Sequence, residues 1–151
     1  MTRSIVISPD FEPVAAPARP RVGPGVAAGV TEAMIAQVVH AFYGRVRRDP
    51  VLGPIFDGAV ADWPHHLDRL KAFWSSVMLT SGRYKGHPMA VHLRHADAMT
   101  HANFAHWLAL WKTTTNDLLD PETAAKFQSK AETIAESLQL GVHYARDRSV
   151  K

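Results

Sequence analysis

This chain of 151 residues contains nine histidines and no cysteine, which limits the kinds of metal site it can form. Without cysteine, disulfides, thiolate metal sites and cysteine nucleophiles are excluded. A metal must therefore be held by histidine, by carboxylates or by a prosthetic group. Most of the histidines and tryptophans lie after residue 60, so the candidate chemistry belongs to the later part of the chain.

The histidine spacing does not fit the common metal sites of helices. No histidine pair stands at i,i+4, since His92 and His95 are three apart and His65 and His66 are adjacent. The His-Glu-x-x-His pattern of zinc proteases is absent, and no glutamate is followed by histidine three residues later, as di-iron bundles require. A phosphate-binding glycine loop and the Gly-x-Ser-x-Gly turn of hydrolases are also missing. Isolated histidines among large aromatics are compatible with an apolar macrocycle held by one imidazole.

The elements that must position these residues all have helical periodicity. Apolar residues recur every three or four positions, and no segment alternates long enough to predict a strand. The fold class is therefore all-α. The predicted long helices span about residues 31–49, 62–81, 100–119 and 120–144.

Three shorter segments connect the predicted helices. The stretch 52–56, which follows Asp49-Pro50, is expected to be an irregular corner. Residues 82–88 contain two glycines and are expected to form a loop, and 89–97 to form a short helix.

The composition predicts three zones. Half of the ten prolines fall in residues 1–28, which are expected to form a flexible extension, followed by one folded domain over 29–147 and a short tail over 148–151. The net charge of +3 comes from scattered basic residues, so no nucleic-acid partner is expected. No apolar run is long enough for a bilayer or a signal peptide, and a cytoplasmic protein is the default expectation.

An ordered set of short motifs resembles the truncated haemoglobins, and within them the third group. The resemblance covers about residues 30–145. The motifs are Phe42-Tyr43, Val46-Arg47, Asp49-Pro50-x-Leu52-Gly53-Pro54-Ile55-Phe56, Trp63-x-x-His66, Phe73-Trp74, Gly82-x-Tyr84-x-Gly86-x-Pro88-x-x-x-His92 and Phe104-x-x-Trp107-Leu108-x-Leu110-Trp111. The resemblance implies a shortened globin, with two helices packed over two around haem b.

The resemblance identifies His92 as the proximal ligand of the haem iron. Its Nε2 is expected to bind iron, while Nδ1–H needs an acceptor such as a backbone carbonyl. His87 and His95 are the competitors, and both are expected to be solvated. Without the resemblance, His92 would read as a surface histidine on a short helix.

The resemblance also places Tyr43 and Trp107 on the distal side, as donors to a bound ligand. The alternative for each is a plain core aromatic, and Trp111 is assigned to packing. His66 matches a distal histidine that lines or gates the pocket, with a partly exposed histidine as the alternative, while its neighbour His65 is expected to point elsewhere.

Four further residues are expected around the haem. Phe56 matches a phenylalanine on the haem face, and Phe73 is a candidate for the pocket wall. Arg69 lies three residues after His66 and is expected to pair with a propionate, since arginine suits carboxylates. A surface arginine is an equal alternative, and Tyr84 is a second candidate for the propionate.

Two distal donors facing one iron predict slow release of O2. The function indicated is therefore redox chemistry on O2, NO or peroxide at a five-coordinate iron, with CO as a further ligand and an external reductase as electron donor. A non-catalytic gas sensor or ligand carrier remains the alternative, and a non-haem helical interaction module a more distant one.

Overall fold

The computed structural model describes residues 23–149, apart from the side chains of residues 90, 91, 93 and 149. Within this range the chain forms seven α-helices and a 3₁₀ turn over Ala96–Ala98, with no strand. The helices are α1 (Pro24–Ala27), α2 (Glu32–Arg48), α3 (Leu52–Ala59), α4 (Trp63–Leu79), α5 (Pro88–Leu93), α6 (His101–Leu118) and α7 (Pro121–Ser149). No helix in the described range is long and apolar enough to cross a membrane. The predicted all-α class is confirmed.

Short polar side chains begin the four long helices, as the sequence predicts. Thr31, Asp62 and Thr100 each accept a hydrogen bond from the backbone N–H three residues later. Asp120 does the same for Thr123 before α7. Each bond satisfies a donor that the helix itself leaves free, so the caps set where α2, α4, α6 and α7 start.

The segment expected to be an irregular corner is instead the helix α3. The Asp49 side chain accepts from the backbone N–H groups of Val51 and Leu52, both at 2.9 Å, and so caps the new helix. Pro54 is the third residue of α3, where a backbone N–H would have no partner within the helix. Pro50, which predicted the corner, precedes α3 and does not prevent a new helix from starting two residues later.

The segment expected to be one helix over 89–97 is divided in two. After α5, bonds from the N–H of His95 to the carbonyl of His92 and from Ala98 to His95 follow the tighter i,i+3 pattern. The 3₁₀ turn lets the chain change direction before α6. At the other end, α7 runs five residues past the expected limit at Tyr144.

Part of the N-terminal extension expected over residues 1–28 forms the helix α1. Gly23 and Gly25 are buried against α4, and a Cβ on Gly23 would overlap the main chain at Met78. Glycine therefore permits this close approach. Residues 1–22 and the last two residues of the expected tail, 150–151, lie outside the described range.

The core lies between two helix pairs. Helix α2 packs against α4 and α6, and α6 packs along α7, which gives two helices over two. The apolar face predicted for α2 is fully buried. Its members are Ile35, Val38, Val39, Phe42 and Val46.

The loop between α4 and α5 is tied to the long helices by a polar network. Glu32 at the start of α2 accepts from the buried Ser75 hydroxyl at 2.5 Å and pairs with Arg83 at 2.6 Å. The Ser75 hydroxyl also lies 2.6 Å from that of Ser81. The Tyr84 backbone N–H donates to Ser76 on α4 at 2.9 Å, so residues 81–84 of the loop are held against α2 and α4.

Candidate functional site

All eight predicted site residues line one cavity of about 440 Å³. They come from five helices and from the loop before α5. The eight are Tyr43, Phe56, His66, Arg69, Phe73, Tyr84, His92 and Trp107. Residues separated by more than sixty positions in the sequence are thus brought to one place.

Apolar side chains form most of the remaining wall, and the histidine and arginine side chains are few. The apolar lining residues include Leu52, Ile55, Leu70, Trp74, Met99, Phe104, Ile134, Ala135 and Leu138. A cavity of this size with a few convergent polar groups is the usual form of a cofactor pocket.

His92 enters the cavity with one ring nitrogen already bonded. Its Nδ1 lies 2.6 Å from the backbone carbonyl oxygen of Pro88, one turn earlier on α5. Because a carbonyl oxygen only accepts, Nδ1 carries the hydrogen and Nε2 keeps its lone pair. The ring therefore has the tautomer that a metal ligand bound through Nε2 requires.

Tyr43 on α2 and Trp107 on α6 lie side by side at the cavity wall. The indole N–H can only donate, and it lies beside the Tyr43 oxygen. Tyr43 is 4% exposed, and this burial raises the pKa of its phenol, with the nearby indole N–H of Trp107 lowering it in part. The phenol therefore stays protonated and keeps its own O–H as a donor.

His66 presents a buried nitrogen without a partner. Its Nε2 has no hydrogen bond within the described residues, although the ring is held edge-on to Tyr43 and Trp63 at centroid distances of 5.9 and 5.5 Å. Burial, followed by the charges of Arg69 and His65, lowers the pKa of the imidazole. An unpartnered buried polar atom needs an explanation, and a ligand in the cavity would supply one.

Arg69 and Tyr84 lie together beside Gly86. The Arg69 guanidinium carbon is 5.8 Å from the centre of the Tyr84 ring. A Cβ on Gly86 would overlap the polar ends of both side chains, so glycine here leaves them room. Arg69 is exposed and lines the cavity, which is the position expected of a group that pairs with an acidic substituent at the rim.

The structure corrects one expectation about the neighbouring histidines. His65 was expected to point elsewhere, but it is exposed and lines the cavity as well. The first turn of α4 lies at the cavity mouth, so His65, one residue before His66, still borders the cavity. His87 and His95 are exposed, as expected, and are not among the lining residues.

Several residues that line the cavity near α6 and α7 were not predicted from the sequence. Met99 and Asn103 line the cavity, and the Asn103 amide donates to the carbonyl of Ala98 at 2.8 Å. Ile134 and Leu138 line it from α7. Their helical spacing identified the α7 pair only as core, because periodicity marks a buried face without saying what covers it.

The residues present fit a haem. The cavity wall is apolar, one imidazole has a free Nε2, a second has an unpartnered buried nitrogen, and a cation stands at the rim. These are the groups that a flat macrocycle with a central metal and acidic substituents would engage.

The comparisons with known proteins agree with this site. No protein-family model matches the chain. The group 3 truncated haemoglobin ctb of Campylobacter jejuni is 30% identical over 114 residues, which is 73% of this chain and 89% of that protein. The crystal structure of the group III truncated haemoglobin from Campylobacter jejuni superimposes with a TM-score of 0.68 at 28% identity, and covers 75% of this chain and 91% of that one. The family expected from the motifs is confirmed: this chain belongs to the group 3 truncated haemoglobins, and it is a haem-binding globin.

Proposed function

We propose that the chain binds haem b through His92 and uses the cavity for redox chemistry on O2, NO or peroxide rather than for O2 delivery. The observation that carries this proposal is one cavity lined both by an imidazole whose Nε2 has no partner among the described residues and by the neighbouring donors Tyr43 and Trp107. When bound, haem supplies the iron that takes such a ligand and exchanges electrons with it.

The residues that would hold the haem have distinct tasks. His92 would bind the metal, while Phe56 and Phe73, which line the cavity, would contact the apolar ring. Arg69, which is exposed at the rim, and Tyr84 beside it would pair with the propionates. The sequence has no cysteine for a thioether link, which favours a non-covalent haem b over an attached haem.

The distal residues would act on the ligand by donating hydrogen bonds. The Tyr43 phenol stays protonated and the Trp107 indole N–H can only donate, so both side chains have a donor to offer an acceptor in the cavity. Each hydrogen bond to a charged acceptor contributes about 1.5–3 kcal/mol. Since about 1.4 kcal/mol is a factor of ten in affinity, this arrangement holds a partly anionic ligand firmly and releases it slowly.

His66 would complete the pocket as a neutral imidazole. Edge-on contacts with Tyr43 and Trp63 hold the ring in place, which supports a lining or gating role. Because burial lowers its pKa, His66 stays uncharged near neutral pH and adds no positive charge beside the ligand. Electrons for turnover would come from an external reductase.

A stopped-flow experiment tests the proposal. The oxygenated ferrous protein is mixed with NO, and nitrate is measured together with the absorption spectrum. Redox chemistry predicts one nitrate per haem and the ferric spectrum. Release of O2 without nitrate would instead indicate a carrier or sensor, and the absence of a Soret band after haem addition would contradict the haem site itself.

A further inference from the structure

Three tryptophans are stacked directly behind the cavity wall. The rings of Trp107 and Trp111 are parallel within 4°, with centroids 5.7 Å apart. Those of Trp111 and Trp74 are within 17° and 4.5 Å. Phe42 meets Trp107 and Trp111 edge-on at 5.3 and 4.8 Å, so the stack has little room to rearrange.

The two outer members of the stack line the cavity, and the central one, which is 1% exposed, lies directly beneath a different surface. Trp74 and Trp107 both line the cavity, whereas Trp111 does not. Trp111 lines a separate groove of about 130 Å³ between α6 and α7. The other lining residues of this groove are Leu108, Ala109, Lys112, Gln128 and Glu132. A continuous path of indole rings thus joins the cavity to a surface on the other side of α6.

We propose that Trp111, reached through Trp107 and Trp74, is a relay that carries single electrons between the haem cavity and the groove between α6 and α7. Indole is the most easily oxidised of the neutral aromatic side chains, and stacked rings in contact favour transfer between them. The relay rests on the proposed haem site, which supplies the redox centre at its inner end.

The hydrogen bonding of Trp111 suits electron transfer without proton transfer. Its Nε1–H donates to the backbone carbonyl of Phe127 at 3.2 Å, and a carbonyl does not take up the proton. The oxidised indole therefore stays a radical cation and returns to the neutral ring on gaining one electron. Tyr43 is less suited, because tyrosine must lose its proton on oxidation and burial raises the pKa of this phenol.

A reductant in solution supplies the electrons that hydrogen peroxide takes up. One peroxide takes up two electrons and two protons and gives two waters, with the O–O bond broken. Two molecules of a one-electron reductant at the groove each lose one electron, which Trp111 passes inward. The protons come from water.

The test uses the full chain loaded with ferric haem and mixed with hydrogen peroxide. Freeze-quenched samples are examined by electron paramagnetic resonance, with normal and ring-deuterated tryptophan, and oxidised residues are located by mass spectrometry. We expect a radical whose spectrum narrows on deuteration and oxidation products at positions 74, 107 or 111. Ferrocyanide as the reductant should remove the radical.

Two matched variants separate the relay from general effects of losing a tryptophan. In W111F most of the tryptophan radical should be lost, and ferrocyanide should reduce the radical that remains more slowly. The variant should keep the Soret band and should still react with peroxide. W63F replaces a tryptophan that packs on Tyr43 and His66 outside the stack, and should keep the radical. If W111F does not fold, the oxidised positions of the unsubstituted protein still show whether the stacked tryptophans carry the radical.

The outcomes distinguish the relay from the proposed function. The chain could take up haem and react with peroxide, yet form its radical on tyrosine or form the same amount of tryptophan radical in W111F and W63F. Either result would overturn the relay but not the proposed function. A chain that takes up no haem would overturn the proposed function and the relay together.

Discussion

The two sides of the cavity are built in different ways. Tyr43, His66 and Trp107, together called the distal wall, stand on helices of 17 or 18 residues and touch one another or shared aromatic neighbours. His92 stands on α5, a helix of six residues between a loop and a 3₁₀ turn. The distal wall is therefore fixed by the contacts of three long helices, whereas His92 is fixed by local hydrogen bonds, by the ties on its loop and by the packing of α5 on α7.

This difference indicates where the site tolerates change. A displacement of the distal wall requires the buried faces of α2, α4 and α6 to repack, and tightly packed interiors resist this. The segment around His92 depends on the packing of one short helix against α7 and on a few polar bonds, each worth about 1 kcal/mol. We therefore expect the distal wall to determine ligand chemistry, and the His92 segment to determine how firmly haem is retained.

The largest effect is expected at His92 itself. His92→Ala removes the proposed iron ligand, so haem should bind weakly, with a shifted Soret band, and added imidazole should restore the original spectrum. The measurement is a haem titration followed by absorption. His95→Ala is the matched control at an exposed histidine and should bind haem as the unsubstituted chain does. An unshifted spectrum for His92→Ala would show that another residue is the iron ligand.

The next effect is expected on the distal wall. Tyr43→Phe removes one donor while keeping the ring, so O2 should leave the ferrous protein roughly ten- to a hundredfold faster, as expected from the loss of one hydrogen bond to a charged acceptor. Rapid mixing with CO measures the rate. Tyr144→Phe, at a tyrosine that is 64% exposed, is the control. An unchanged rate in Tyr43→Phe would contradict the donor role.

A smaller effect is expected where the loop before α5 is tied. Ser75→Ala removes bonds to Glu32 and Ser81, so unfolding in urea should be easier by about 1 kcal/mol. Haem should also transfer faster to an acceptor protein, because the loop leads to His92. Ser129→Ala at an exposed position of α7 should change neither quantity. Equal behaviour of the two variants would show that the tie does not support the His92 segment.

The smallest effect is expected from the titration of His66. Its pKa in the folded chain lies below the ordinary histidine value of 6.5, because the imidazole is buried, so the unfolded chain takes up the proton first as the pH falls. The stability that the neutral imidazole contributes is complete above about 6.5 and is lost as the pH drops towards the folded pKa. Urea unfolding at about pH 7.5 and about pH 5.5 should show a smaller loss in His66→Leu than in the unsubstituted chain. His95→Leu is the control, and an identical loss in all three chains would contradict the prediction.

The long helices could be predicted from the sequence because their signals are local. Thr31, Asp62 and Thr100 mark helix starts through bonds that reach only three residues ahead. The prediction of a corner over residues 52–56 was wrong, since Pro50 marks the end of α2 but does not determine whether a corner or a new helix follows. The side chain of Asp49 decides between them by capping α3.

The sequence alone determined the all-α class, the approximate helix limits and, through the ordered motifs, the family and eight candidate site residues. Only the tertiary structure decided that these eight share one cavity, that the Nδ1 of His92 is bonded to Pro88, and that His65 also borders the cavity. The stack of Trp74, Trp107 and Trp111 likewise exists only after α4 and α6 have packed together. Capping and periodicity act within one helix, whereas contacts between helices depend on how their faces meet, and no local pattern specifies that.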